Sequence, residues 1–442
     1  MARKRITYGE SYLLASQPPS NSDNLTNLSG LKRIQSVDIG WDFERKRFTQ
    51  VGSPDFVEDT HLRNPNITIG VNYYYSNGTN EAVLGLDVDG ANRGVLNFLG
   101  LTGQDRNLYL LIGSGSNDEP LNQTNYNGNY GVMSFGNCFM NSYRLSASLG
   151  NPISVSTSLS SYNFKLDDYT DNGNVGNIGV GIPAIDTSVG EPTRDGHQFR
   201  VSSDNLVNTS NLDGLIDPAL GPNYIEMTLP TLNIPGVQLY DEETAPISSM
   251  NVAFNIRRID NYGFGSLYPY GRKTILPLLG TLNFSTTTNE FRNGALHSMI
   301  TSGESTFDFT FNFKNCSGAT GLQIEIEGAK LDRQGQKIGI GGNAETDLEF
   351  TFSMSNTSGM KMSTPPLFLE NVSGNVAGPA SGPVSVTATG KTPITYQWYK
   401  DEVAIGGATS SSYGVFANGS YYVIATNELG TGKSRACVGS SY

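Results

Sequence analysis

The chain has 442 residues, 16% of them charged and 10% aromatic, and its 29 basic and 41 acidic side chains leave a net charge of −12. That length suffices for two to four domains with their own cores, and few charges beside abundant glycine and aromatics point to all-β structure rich in turns. The acidic balance argues against a phosphate-gripping surface, three cysteines against a disulfide scaffold, and the lack of an apolar run of roughly 18 residues against a membrane-spanning helix.

The opening MARKRITYGESYLLAS has a basic end but no apolar stretch of a signal peptide, so folding in a cytoplasm with reduced thiols is expected. Residues 1–30 read as an N-terminal arm with a first strand. Then Ile34 to Ser53, IQSVDIGWDFERKRFTQVGS, alternates apolar residues and runs into a charged aromatic loop. The same pattern returns 213 positions later as ISSMNVAFNIRRIDNYGFGS, with Ile34/Ile247, Ser36/Ser249, Arg45/Arg258, Gly52/Gly265 and Ser53/Ser266 identical.

Further echoes follow in order. Val71-Asn72-Tyr73 lines up with Leu282-Asn283-Phe284, and Thr79-Asn80-Glu81 with Thr288-Asn289-Glu290. Thr or Asn before Glu suits a helix N-terminus, so a short helix is expected after each. Phe135-Gly-Asn137-Cys138 is set against Phe313-Lys-Asn315-Cys316, each followed by two alternating strands. The last offset is 178, which assigns about thirty extra residues to the first copy, where NLYLLIG reads as a strand. The pattern is a tandem duplication rather than a short-repeat solenoid.

The expected organisation is an arm at 1–30, a first copy at 31–186, a connector at 187–222, a second copy at 223–362, a Pro/Gly-rich linker at 363–382 and a last domain at 383–442. The final stretch resembles an immunoglobulin-like domain. Trp398 fits the tryptophan of its central strand, Tyr421 the tyrosine corner, and Val386 with Val423 the two positions where antibody domains keep a disulfide.

No catalytic constellation emerges. His61, His197 and His297 lack metal-ligand spacing, Asp87-Val-Asp89-Gly90 reads as an ordinary turn, and Gly430-Thr-Gly432-Lys433-Ser434 lacks the first glycine of a phosphate loop. Neither an enzyme, a cofactor nor a metal is expected. The charges Arg45, Lys46, Arg47, Glu58, Asp59, Arg257 and Arg258 sit where each first strand enters its loop, as solvated loops or as steering charge between subunits. Glu325 and Glu327 alternate with Leu322, Ile324 and Ile326, giving one strand an anionic face.

The order strand, long loop, strand, helix and two closing strands (SYRLSASLGNPISVSTSLSSYNF in the first copy), seen twice over residues 30 to 362, resembles major tail tube proteins of long-tailed bacteriophages (siphoviruses). The resemblance implies a mainly β chain: two tandem tail-tube β-sandwich or barrel domains, each with a short helix, then the immunoglobulin-like β-sandwich. It implies homotrimers that form pseudo-sixfold rings, stacked through the loops Arg45–Leu62 and Arg258–Leu276 into a tube of the virion tail, assembled in the host cytoplasm. Its partners would be tail proteins (tape measure, terminator and tip) and genome DNA passing without specific binding, with Glu325 and Glu327 as lumen candidates and no membrane contact. The alternatives are a surface-binding module whose last domain makes weak glycan contact, and a head-decoration or capsid protein.

Overall fold

The computed structural model describes residues 11–16, 28–42, 45–52, 54–61, 66–89, 106–113, 130–148, 150–161, 163–168, 224–228, 247–262, 271–287, 306–314, 320–337, 345–354, 359–368, 382–415, 419–434 and 437–439. The fold is mainly β, every strand pair is antiparallel, and the described residues hold one α-helix. The first part comprises β1 (Ser11–Ser16), β2 (Leu28–Gly30), β3 (Ile34–Asp42), β4 (Arg45–Thr49), β5 (Phe56–His61), β6 (Asn66–Tyr74), α1 (Thr79–Leu84), β7 (Arg106–Gly113), β8 (Tyr130–Ser148), β9 (Ser154–Ser161) and β10 (Asn163–Asp168). The second comprises β11 (Tyr224–Thr228), β12 (Ile247–Asn255), β13 (Arg258–Asn261), β14 (Gly271–Thr274), β15 (Leu278–Thr287), β16 (Phe307–Lys314), β17 (Thr320–Lys337), β18 (Glu345–Met354) and β19 (Met360–Ser363).

Both parts have one wiring. In the first, β1–β7–β8–β10 form one sheet and β3–β6–β9–β8 another; in the second, β11–β16–β17–β19 and β12–β15–β18–β17 do the same. The strands β8 and β17, of 19 and 18 residues, are long enough to serve both sheets of their copy.

Register makes the repeat quantitative. Val37 faces Val71 as Met250 faces Phe284, so β3 and β6 map onto β12 and β15 with the same 213-residue offset. The register also shifts at the same place, between Ile34 and Ser36 and between Ile247 and Ser249. Phe139 faces Ser160 as Lys330 faces Thr351, so β8 and β9 map onto β17 and β18 at an offset of 191. Each long strand bulges once there, at Asn141 and at Asp332, and the bulged side chain bonds the equivalent hydroxyl, Ser160 or Thr351.

Two of the sequence alignments are corrected by this. Val71 corresponds to Phe284 rather than Leu282. Phe135 lies in β8 whereas Phe313 lies in β16, the counterpart of β7, so the Phe-x-Asn-Cys echo pairs different strands. Alternating Phe runs resemble each other, and only pairing tells them apart. Asn315, Cys316 and the second expected helix lie outside the described residues.

The alternation visible in the sequence becomes burial. Ile67, Ile69, Val71 and Tyr73 of β6 point inward, as do Val155, Thr157 and Leu159 of β9, and all four phenylalanines of β16 are buried. One contiguous apolar cluster runs through both copies, each fully buried large side chain contributing about 2 kcal/mol. Within the second copy Phe284, Phe307, Phe309, Phe311 and Phe350 pack ring on ring, with Phe309 and Phe350 centred 4.8 Å apart.

Helix α1 starts where the sequence suggests, but its cap is different. Gly78 precedes it with φ 89°, and Asn77 Oδ1 accepts from the Thr79 amide at 3.2 Å. Glu81 does not face water: it is 1% exposed, and its Oε1 accepts from the hydroxyls of Tyr73 at 2.9 Å and Tyr143 at 3.3 Å. Burial raises its pKa to about 7, against the opposing pull of a backbone hydrogen bond and of those two hydroxyls.

The chain then leaves β19 across α1. Thr364 N donates to Val88 O at 3.1 Å, Leu367 packs with Ala82 and Val88, and Ser363 and Thr364 are fully buried. The C-terminal unit holds β20 (Leu367–Phe368), β21 (Gly382–Ser385), β22 (Ala388–Thr389), β23 (Thr395–Lys400), β24 (Val403–Ala404), β25 (Ser412–Val415), β26 (Gly419–Asn427), β27 (Gly430–Lys433) and β28 (Cys437–Gly439). Trp398 faces Val423 across β23–β26, is closed in by Val384, Val386 and Ala408, and donates its indole N–H to Ser410 O at 2.8 Å. Tyr421 is 2% exposed and packs on Tyr413.

This unit docks through glycine. A side chain on Gly432 would strike the backbone carbonyl of Pro366, and one on Gly390 would meet Pro365 O at 2.9 Å. Gly432→Val is expected to cost about 1–3 kcal/mol and to loosen the unit from the second copy. Limited proteolysis should then release it early from the variant; a cleavage pattern like that of the wild type would refute the close approach.

Candidate assembly interface

The two copies are fused into one sheet. Strand β12 pairs with β8 from Ser249↔Ser148 to Asn255↔Ser142, so the order runs β3–β6–β9–β8–β12–β15–β18–β17. The junction is closely fitted. Phe254 stacks on Tyr143 with centroids 5.5 Å apart, Ile256 N donates to Asn141 O at 2.6 Å, and Arg144 Nε donates to Asn251 Oδ1 at 3.2 Å. Arg258 Nη1 donates to Met140 O at 2.6 Å and to Asn141 Oδ1 at 3.3 Å. Arg258 and Arg272 both lie over the Phe139 ring, at 5.4 and 4.0 Å, and Arg272 is held by Asp260 at 3.1 Å. Burial, with Arg272 adjoining, lowers the Arg258 pKa to about 10, which leaves it charged at neutral pH.

At the two ends of this sheet the same edges stand open. Among the described residues β3 pairs with β6 alone, and the Lys330–Lys337 half of β17 pairs with β18 alone. The open end shows in burial. Met250, Val252 and Phe254 of β12 are at most 2% exposed, whereas their counterparts Val37 and Ile39 are half-buried and Trp41 is 37% exposed. An unpaired edge beside a half-covered apolar row is a template for another strand.

The other face of the sheet is polar. Asn72, Ser146, Ser154, Ser156, Asn251 and Ser285 stand on it, and residues from β6 to β17 line one open depression of about 650 Å³, which makes this the concave side.

Of the residues singled out in the sequence, Arg45, Lys46 and Arg47 form exposed β4, which pairs with β5 so that Arg47 faces Asp59 and Phe48 faces Glu58. The hairpin β13–β14 repeats it with the charges exchanged, Asp260 facing Arg272. Arg257 is exposed, while Arg258 turns back into the junction. Both hairpin regions present apolar side chains to solvent: Phe48 and Val51 in one, Ile259, Ile275 and Leu276 in the other. Glu325 and Glu327 lie on the half of β17 that pairs with β16 and β19, away from the concave face. Lys361 lies 2.6 Å from Glu327, and Lys391 of the C-terminal unit lies 3.7 Å from Glu325 and 2.6 Å from Glu428. The sequence does not say which strands form the open edges, although the repeat is the signal that points to edges at all.

No family model and no curated protein matches the chain. Among solved structures it is similar to the tube-terminating cap of the anti-feeding prophage, at 12% identity over 32% of this chain and 90% of that one, TM-score 0.25. It is also similar to a chain of the PVC sheath–tube complex, an extracellular contractile injection system in its extended state (10% identity, 32% and 88% covered, TM-score 0.23). The SPP1 tail tube is a third (10% identity, 38% and 81% covered, TM-score 0.23). Likenesses of this size do not transfer a function.

Proposed function

We propose that the chain is a structural, non-catalytic subunit that polymerises into rings and a tube, the tail tube of a bacteriophage virion. The observation that carries this is the junction: one copy already seals its edge against the other inside the chain, while the equivalent edges at the two ends are open. Because the open edges differ from each other, their contact is head-to-tail, and head-to-tail contacts propagate until they close. Three chains would supply six pseudo-equivalent copies and one continuous barrel without edges.

The concave polar face then lines the bore, since the other face of this sheet is covered by the apolar cluster and the remaining sheets of the two copies. The lining falls mainly to serine, threonine and asparagine rather than to Glu325 and Glu327, and the cations Arg144 and Arg333 are offset by Asp347 and Glu349, so the face offers DNA phosphates no positive excess to hold as the genome passes. The β4–β5 and β13–β14 hairpins, with their exposed apolar residues, reach the adjacent ring. The immunoglobulin-like unit decorates the outside, and tape-measure, terminator and tip proteins would meet the tube within and at its ends, in a tail assembled in the host cytoplasm.

Negative-stain electron microscopy of the purified full chain tests this. End views should show rings with a near-sixfold bore and threefold outer decoration. Isolated particles at all concentrations and salt conditions would refute it.

A further inference from the structure

The internal junction can be carried, residue by residue, onto the open edges. Subtracting the 213-residue offset turns β12 into β3, and adding 191 turns the junction half of β8 into the open half of β17. We propose that β17 of one chain pairs with β3 of a second copy in the register Arg333↔Asp42, Gln334↔Trp41, Gly335↔Gly40, Gln336↔Ile39 and Lys337↔Asp38, held by ion pairs at two positions where the matching internal pairs are uncharged. This deepens the ring reading and rests on it for the identity of the partner.

The charges make the case. At the internal junction the pairs Asn255↔Ser142 and Asn251↔Ser146 are uncharged. Their images are Asp42 with Arg333 and Asp38 with Lys337, acid opposite base both times. All four are exposed, and none is in an ion pair among the described residues. On its other side β17 has Glu349 opposite Arg333 and Glu345 opposite Lys337, so each cation would stand between two acids; the acids of β3 face only Asn66 and Gly70 of β6.

One further position agrees. Arg258 reaches Asn141 inside the chain; its image Arg45 would reach Asp332. Three contacts that contain no acid within the chain become acid–base between chains. Trp41 would be covered by the incoming strand as Phe254 is covered by Tyr143. Opposite charges at an edge admit the correct partner, repel a like edge and make the contact reversible.

The test uses the full chain. Asp38→Lys with Asp42→Arg, and separately Lys337→Asp with Arg333→Asp, should each raise the concentration needed for ring formation by about tenfold or more. Circular dichroism of each should remain that of the folded wild type, and combining all four changes in one chain should restore rings. In a Trp398→Phe background the emission of Trp41 should shift to the blue on assembly. Gly40→Cys with Gly335→Cys should form disulfide-linked oligomers under oxidation, whereas Gly40→Cys with Lys337→Cys should not. Rings unaffected by either reversal, or cross-links from the offset pair instead of the matched one, would overturn this interface and leave the tube reading standing. A wild type that never forms rings overturns both.

Discussion

Replacing Glu81 by Gln is expected to remove a pH dependence of stability worth about 3 kcal/mol between pH 4.5 and 7. The native carboxyl keeps its proton up to about pH 7, whereas the unfolded chain releases it near 4.5. Below 4.5 both states are protonated and the residue contributes no slope. As pH rises through that window the unfolded state sheds a proton that the native state holds, so the wild type loses stability until the native group also ionises. Among the described residues no cation figures among the causes of its shift: Tyr73, Tyr75 and Tyr143 face it, and Asn80 beside it bonds the Lys32 backbone. Gln keeps an acceptor for the two tyrosine hydroxyls and cannot ionise. Chemical denaturation of wild type and Glu81→Gln at pH 4.5, 6 and 8 checks it. Parallel curves would mean that the carboxyl is hydrated in the native state.

The second large effect is expected at Phe350→Ala, at about 3–5 kcal/mol of stability. Phe350 is fully buried, stacks on Phe284 at 5.7 Å and meets Phe309 at 4.8 Å. It belongs to β18, which holds the Lys330–Lys337 half of β17 in place, so the variant should also assemble poorly. Val37→Ala on the open edge should cost far less in the isolated chain, because Val37 is only half-buried there. Urea denaturation compares the two, and equal losses would contradict the exposure of β3.

Much of the fold was legible because a strand writes its two faces into every second residue. The runs ITIGVNYY and FDFTFNFK announce which side chains go inward before any partner is known. The duplication was legible where its offset is constant, at 213 through β3 and β6. It was misread at Phe135, where insertions change the offset and a neighbouring strand carries a similar pattern. Helix α1 is legible, yet along the chain Glu81 reads as a first-turn carboxylate serving the helix dipole. Nothing local distinguishes that from burial, which depends on Tyr73 of β6 and Tyr143 of β8 converging on it.

The β class, the inward faces of the strands and the presence of two copies are thus written along the chain. These follow from short-range periodicity and from similarity along the chain. That β12 seals against β8, that β3 and half of β17 have an open edge among the described residues, and that Asp42 and Arg333 occupy matching positions at opposite ends of one sheet emerges only from the fold. Strand pairing joins residues more than a hundred positions apart, and its register is set by where whole faces can be buried together, which no local stretch contains.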